Sequence, residues 1–143
     1  LELCEEQQNL SRDLIITCRI EDLPNEVELD RKMMTIVLTN LLSNAVKFSP
    51  ENPIIQVHGR TNGGRMFVTV EDNGVGIPEE EVDRIFERFF RATTSSGIAG
   101  SGVGLSLVRD LVKLQGGHIQ AKSQVGKGTS LSIELPETLS KRA

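Results

Sequence analysis

The sequence predicts an α+β fold: a mixed, mostly antiparallel sheet packed against about three helices as a two-layer α/β sandwich. Three observations predict it. The β-branched segments Ile54 to Arg60 and Met66 to Val70 meet across Thr61-Asn62-Gly63-Gly64, a hairpin-type turn that sets neighbouring strands antiparallel. Residues 30–48 and 103–115 carry apolar residues at helical spacing. Helices and a largely antiparallel set of strands in this order suit a sheet with helices on it.

Along the chain, residues 1–10 are polar and compatible with the tail of a preceding helix. Leu14 to Ile20 reads as a strand from its β-branched content. Pro24-Asn25 marks a turn, and Val27-Glu28-Leu29 alternates as a second, short strand. Asp30 is placed to cap a helix running to about Phe48, where Ser49-Pro50 stops it. Within it Met34, Val37, Leu38, Leu41, Leu42 and Ala45 form one apolar face. Pro78 and the glutamates after it open a short helix expected to reach Phe90. Residues 92–102 hold only Ser, Thr, Gly, Ala and one Ile, the composition of a mobile loop. The helix from Val103 ends at Gly116-Gly117, a C-cap pair. His118 to Ser123 then pairs with Thr129 to Leu135 across Gly126-Lys127-Gly128. Pro136 ends the order, and Ser140 to Ala143 is expected to fray. There are no internal repeats, so residues 1–143 read as one domain with its core at about 10–136.

Composition narrows the class. At 143 residues, 38% hydrophobic and 25% charged, the chain is long enough for a core and ordinary for a soluble domain. A net charge of -4 with no basic run argues against a dedicated nucleic-acid binder. Cys4 and Cys18 lie far apart with no CxxC pair, which reads as two free thiols of a cytosolic protein. No apolar run is long enough to span a membrane, and there is no basic-then-apolar leader. The chain begins without Met in a helical pattern, which suggests a piece of something larger.

The chemistry concentrates in three places. At 100° per residue, Asn40, Asn44 and Lys47 fall within about 60° of one another, a polar stripe beside the apolar face. Such a stripe is either a solvated flank or a wall for a magnesium–triphosphate, with amide oxygen for the metal and an ammonium for phosphate. Asp72 ends a strand and begins Asp72-Asn73-Gly74-Val75-Gly76-Ile77-Pro78, longer than a tight hairpin needs. The spaced glycines let backbone approach a flat ligand while the carboxylate accepts a hydrogen bond. Gly100-Ser101-Gly102-Val103-Gly104 puts bare N–H groups at a helix start, where the macrodipole favours phosphate. Phe86, Phe89 and Phe90 read as core packing that anchors the loop after them, flanked by Arg88 and Arg91. Gly126-Lys127-Gly128-Thr129 is not a Walker loop, no dinucleotide fingerprint is complete, and the protein-kinase signatures are missing. His58 and His118 lie in or at the start of strands and read as structural.

Together these segments resemble a known family. Asn40-Leu41-Leu42-Ser43-Asn44-Ala45, Asp72-Asn73-Gly74-Val75-Gly76, Phe86-Glu87-Arg88-Phe89-Phe90-Arg91 and Gly100-Ser101-Gly102-Val103-Gly104-Leu105 resemble the N, first-glycine, F and second-glycine boxes of sensor histidine kinases. The resemblance covers about residues 10–136 and is to the catalytic ATP-binding domain. It implies the Bergerat-type sandwich shared with gyrase, Hsp90 and MutL, with ATP and Mg2+ as ligands. It further implies that Asp72 accepts the adenine amine, with Gly74, Gly76 and Ile77 close by and Phe48 near the base. Asn44 would hold magnesium beside Asn40, and Lys47 and Arg91 would reach the phosphates. Gly100, Gly102 and Gly104 would form the hinge and floor of an ATP lid, and Val103, Leu105 and Thr129 would join the nucleotide site. Gly126 and Gly128 match the family's last glycine pair, read as a structural turn.

The same resemblance implies the partners. The γ-phosphate would pass to a histidine on the protein's own dimerisation and phosphoacceptor domain, expected upstream, and then to a response regulator receiver domain. Neither His58-Gly59 nor His118-Ile119 fits that acceptor, which an acid follows. The whole protein would be a homodimer, this domain alone a monomer without nucleic-acid partners. The domain would be cytoplasmic even if the whole protein is membrane-anchored. Hydrolytic relatives carry a Glu that activates water where this chain has Asn40, and an amide cannot serve as that base. The implied activity is phosphoryl transfer to protein histidine rather than hydrolysis.

Overall fold

A computed structural model of the chain describes residues 15–21, 31–49, 53–95 and 104–136. Among the described residues five strands form one sheet: β1 (Ile15–Glu21), β2 (Ile54–Asn62), β3 (Arg65–Asp72), β4 (His118–Gln124) and β5 (Gly128–Pro136). Their order across the sheet is β1-β2-β3-β5-β4. β1 runs parallel to β2, and every other neighbouring pair is antiparallel. The β2–β3 turn at Gly63 (φ 61°) and Gly64 (φ 80°) is left-handed at both positions, the geometry that keeps the right-handed twist of the hairpin. The last strand among the described residues does not lie at the edge of the sheet. β5 enters between β3 and β4, pairing Val70 with Leu131 on one side and Leu131 with Ala121 on the other.

Alternation along the strands separates two faces. Ile55, Met66, Val70, Leu131, Ile133 and Leu135 are buried beneath the helices α1 (Arg31–Lys47) and α2 (Gly104–Leu114). The helices bring Met34, Val37, Leu41, Leu42 and Ala45 from α1 and Val108 and Val112 from α2. Each such burial is worth roughly 1.5–3 kcal/mol, which fixes α1 over β2 and β3 and so fixes its polar stripe too. The other face is polar: Arg60 lies 4.5 Å over the Phe67 ring, Arg65 pairs with Glu134 at 2.6 Å, and the Thr69 and Ser132 hydroxyls meet at 3.0 Å. α2 ends in a Schellman arrangement, with Gly117 N–H donating to the Val112 carbonyl (2.9 Å) and Gly116 N–H to that of Lys113 (3.0 Å). None of the helices among the described residues is long and apolar enough to cross a membrane.

Two expectations are corrected. The third helix, expected from Pro78 to Phe90, is instead a 3-10 segment at Glu79–Arg84 followed by further turns. Three backbone bonds along 78–90 are of the i to i+3 kind: Glu81 N–H to the Pro78 carbonyl, Glu87 N–H to that of Arg84 and Phe90 N–H to that of Glu87. Phe89 has a left-handed backbone (φ 68°), which no helix carried through to Phe90 could accommodate. The kink also divides the phenylalanines. Phe86 and Phe90 pack against the core, whereas Phe89 is 68% exposed and anchors nothing. The expected helix at 1–10, the turn at 24–25, the strand at 27–29, the cap at Asp30 and the fraying tail all lie outside the described residues.

Candidate functional site

A cavity of about 240 Å³ opens between α1 and the ends of β3 and β5. α1 presents Asn40, Ser43, Asn44 and Lys47 to it, the predicted stripe plus one serine on the same flank. The opposite wall is Asp72 with Val75, Gly76 and Ile77; Thr129 and Leu131 come from β5, and Gly104 and Leu105 open α2. The segment after the 3-10 turn supplies Phe90, Arg91, Ala92 and Thr94, with Ile85 beneath.

Asp72 is held by its own loop and by the start of β5. Its Oδ1 accepts the Gly74 N–H at 2.8 Å and the Thr129 N–H at 3.2 Å. Both bonds fall on one oxygen, leaving Oδ2 without a donor among the described residues. Burial pushes the Asp72 carboxyl above its ordinary range, and the two backbone hydrogen bonds, from Gly74 and Thr129, pull the other way. This end of the cavity is therefore a desolvated acceptor of hydrogen bonds.

The walls are set by close backbone approach. A Cβ on Gly74 would stand 1.9 Å from the Phe48 carbonyl oxygen, which already accepts the Val75 N–H at 2.9 Å. Gly74 thus joins the end of α1 to the loop and is not among the residues lining the cavity. Gly76 has φ 75°, and a Cβ there would lie 2.1 Å from the Gln124 carbonyl oxygen. Thr94 Oγ1 donates to the Gly76 carbonyl at 2.5 Å. Glu81 grips the same segment, its Oε1 accepting the Thr93 N–H (2.9 Å) and its Oε2 the Thr93 hydroxyl (2.7 Å).

The polar end differs in kind. Asn40 Nδ2 donates to the Ile36 carbonyl one turn back at 2.8 Å, so the amide presents its oxygen away from its own helix. That oxygen stands 3.0 Å from where a Cβ on Gly104 would be, against the start of α2. Amide oxygens, an ammonium at Lys47, a guanidinium at Arg91 and the N-terminus of an 11-residue helix make this end suited to an anion with a hard cation.

The cavity brings together Asn40, Asn44, Lys47, Phe48, Asp72, Gly76, Ile77, Arg91, Gly104, Leu105 and Thr129 of the residues singled out in sequence. Gly100, Gly102 and Val103 lie outside the described residues. Sequence reasoning missed Ser43, Val75, Ile85, Ala92, Thr94 and Leu131, and gave Phe90 to the core alone. Ser43 was readable from its place three residues after Asn40. Thr94 was not, because its role rests on a carbonyl 18 residues away.

With this geometry in view, the chain can be compared with known proteins. The family described as histidine kinase-, DNA gyrase B- and HSP90-like ATPase matches residues 29–139. The sensor histidine kinase WalK of Bacillus subtilis (strain 168) is 36% identical over 124 residues, 82% of this chain and 20% of WalK. The chain thus spans about a fifth of the length of the curated relatives it matches. A solved mycobacterial sensor histidine kinase, MprB, superposes with TM-score 0.85 at 28% identity, covering 97% of this chain and 93% of that one. The solved complex of histidine kinase ThkA with response regulator protein TrrA gives TM-score 0.77 at 28% identity, covering 99% of this chain and 41% of that one.

Proposed function

Since the chain belongs to the histidine kinase-, DNA gyrase B- and HSP90-like ATPase family, we propose that it binds ATP with magnesium and donates the γ-phosphate to a histidine on a separate dimerisation domain of a two-component sensor kinase. The observation that carries the reading is the polarity of one cavity: a half-buried, backbone-held carboxylate at Asp72 and an amide-and-cation wall along α1. A base with an exocyclic amine fits the first, a triphosphate the second.

In this reading Asp72 Oδ2 accepts the adenine amine, while Gly76, Ile77, Phe48 and Thr129 bound the base. Lys47 and Arg91 neutralise phosphate charge, which is most of what a phosphoryl-transfer site must do. Asn44 holds the magnesium with Asn40 beside it. The fit rests on donor chemistry, since Asn40 has its amide nitrogen committed to the Ile36 carbonyl and its oxygen available. Magnesium, when bound, offsets charge on the β- and γ-phosphates. Asn40 has no carboxylate with which to activate water, which favours transfer over hydrolysis. Gly104 and Leu105, at the start of α2, bound the phosphates from the other side. The likeness to the ThkA–TrrA complex supports a response regulator as the final acceptor. The whole protein acts as a homodimer, and this domain works in the cytoplasm, where ATP is.

The test is transfer of radiolabelled γ-phosphate. The chain alone should bind ATP but neither label itself nor release phosphate quickly. Supplying the kinase's own dimerisation segment, fused or in trans, should yield acid-labile label on that segment's histidine. Acid-stable label on this chain alone would point to a serine kinase, and steady phosphate release at gyrase-like rates to an ATPase.

A further inference from the structure

Ser123, on β4, does not line the cavity, yet its hydroxyl meets three groups that build the Asp72 end. The Ile77 N–H donates to Ser123 Oγ at 2.8 Å, the Gly128 carbonyl lies 2.9 Å from it, and Thr129 Oγ1 lies 2.8 Å from it. A serine hydroxyl has one proton to give and two lone pairs to offer. The Ile77 N–H can only donate, and the Gly128 carbonyl can only accept. Only one arrangement satisfies all three contacts: Ser123 gives its proton to Gly128 and accepts from both Ile77 and Thr129. The reverse, with Ser123 donating to Thr129, would leave two bare oxygens facing each other at 2.9 Å.

We propose that Ser123 is a positioning residue that sets base selectivity by fixing the direction of the Thr129 hydroxyl. The proton of Thr129 is spent on Ser123, so Thr129 Oγ1 offers only lone pairs to the cavity it lines. Asp72 Oδ2 beside it is also an acceptor, and Thr129 N–H to Asp72 Oδ1 at 3.2 Å ties the two together. This end therefore favours a ring edge that donates, an amine, and opposes one that presents a carbonyl. Ser123 also ties the Gly76-Ile77 loop to the β4–β5 turn, so both walls share one hydroxyl. The inference rests on the nucleotide-binding reading above.

The experiment is titration of the purified chain with ATP and with ITP, each with magnesium; ITP carries a carbonyl where ATP carries the amine. Ser123→Ala frees the Thr129 hydroxyl to rotate and donate, so the ATP-over-ITP preference should fall about tenfold. Ser123→Thr, which keeps a hydroxyl on a strand position, should retain the preference. In a Thr129→Val background the Ser123→Ala change should leave the preference unmoved, because Ser123 acts through Thr129. This last comparison reads correctly even if Ser123→Thr packs poorly. Equal weakening of ATP and ITP by Ser123→Ala would overturn the proposal and leave Ser123 as a strap of the fold. So would a selectivity change undiminished in the Thr129→Val background. If the unaltered chain bound neither nucleotide, the nucleotide reading itself would fail, and this inference with it.

Discussion

The backbone N–H of Thr129 donates to Asp72 Oδ1 at 3.2 Å across 57 residues of sequence. A carboxylate at the end of β3 is thereby oriented by the start of β5, and the Gly74 N–H holds the same oxygen at 2.8 Å. Orientation of this kind is what allows one side chain to discriminate between bases.

Asp72→Asn keeps an oxygen for those two backbone donors and replaces the other acceptor with an NH2 donor. ATP affinity should drop by about 10- to 150-fold, the range expected for losing a charged hydrogen bond worth roughly 1.5–3 kcal/mol. GTP, whose base lacks an amine there, should change far less. Calorimetric titration of both nucleotides checks this, and equal losses would remove Asp72 from base recognition.

Burial holds the Asp72 carboxyl above its ordinary 3.8 despite the opposing hydrogen bonds from Gly74 and Thr129. The ionised form is the acceptor, so ATP affinity should fall as pH drops through a midpoint above that value. Stability moves the other way. An acid whose folded pKa is raised stabilises the fold below its unfolded pKa, and that contribution is lost as pH rises through the folded pKa. Measuring the ratio of ATP affinities of the unaltered chain and Asp72→Asn from roughly pH 4 to 7 cancels protonation of ATP itself. A ratio constant across that window would contradict the assignment.

Gly76 and Gly126 have similar left-handed backbones, φ 75° and 80°, but different surroundings. A Cβ on Gly126 meets nothing within 4 Å, so Gly126→Ala should cost only the conformational penalty, about 1–2 kcal/mol. A Cβ on Gly76 would meet the Gln124 carbonyl oxygen at 2.1 Å, and Gly76→Ala should cost above about 4 kcal/mol. Thermal denaturation of both variants separates the two effects; equal shifts in Tm would mean that the loop at Gly76 yields easily.

Asn44→Ala should abolish most of the gain in ATP affinity that magnesium brings, while binding without magnesium changes little. Titration with and without the metal decides it. Magnesium dependence like that of the unaltered chain would transfer the ligand role elsewhere on α1.

What could be read from the sequence was local. The period of Met34, Val37, Leu41 and Ala45 placed α1, and the Gly63-Gly64 pair placed the β2–β3 hairpin, because each signal lies within a few residues of the structure it specifies. Asp72 could be marked as a site residue from its neighbours. The resemblance put Thr129 in the same site, but its hydrogen bond to Asp72 could not be read, since nothing near either residue encodes that β5 enters the sheet beside β3. The parallel pairing of β1 with β2 was equally out of reach, being decided by how the chain crosses the sheet. The segment at 79–90 failed for another reason. Helix-favouring glutamates follow Pro78, but Ile85 and Phe90 both have to reach the core, and the turn at Phe89 serves that packing at the expense of helix propensity.

The placement of β5 between β3 and β4 also orders events in time. As the chain leaves the ribosome, Asp72 emerges well before Thr129, and the acceptor end of the cavity cannot exist until β5 has entered the sheet beside β3. No partly synthesised or β5-undocked form can therefore be rescued by nucleotide. Ligand can stabilise only the completed sheet, by RT ln(1 + [L]/Kd). Saturating nucleotide should accordingly slow proteolysis at cleavage points that β5 undocking exposes, however far from the cavity, making occupancy a measure of whole-domain integrity.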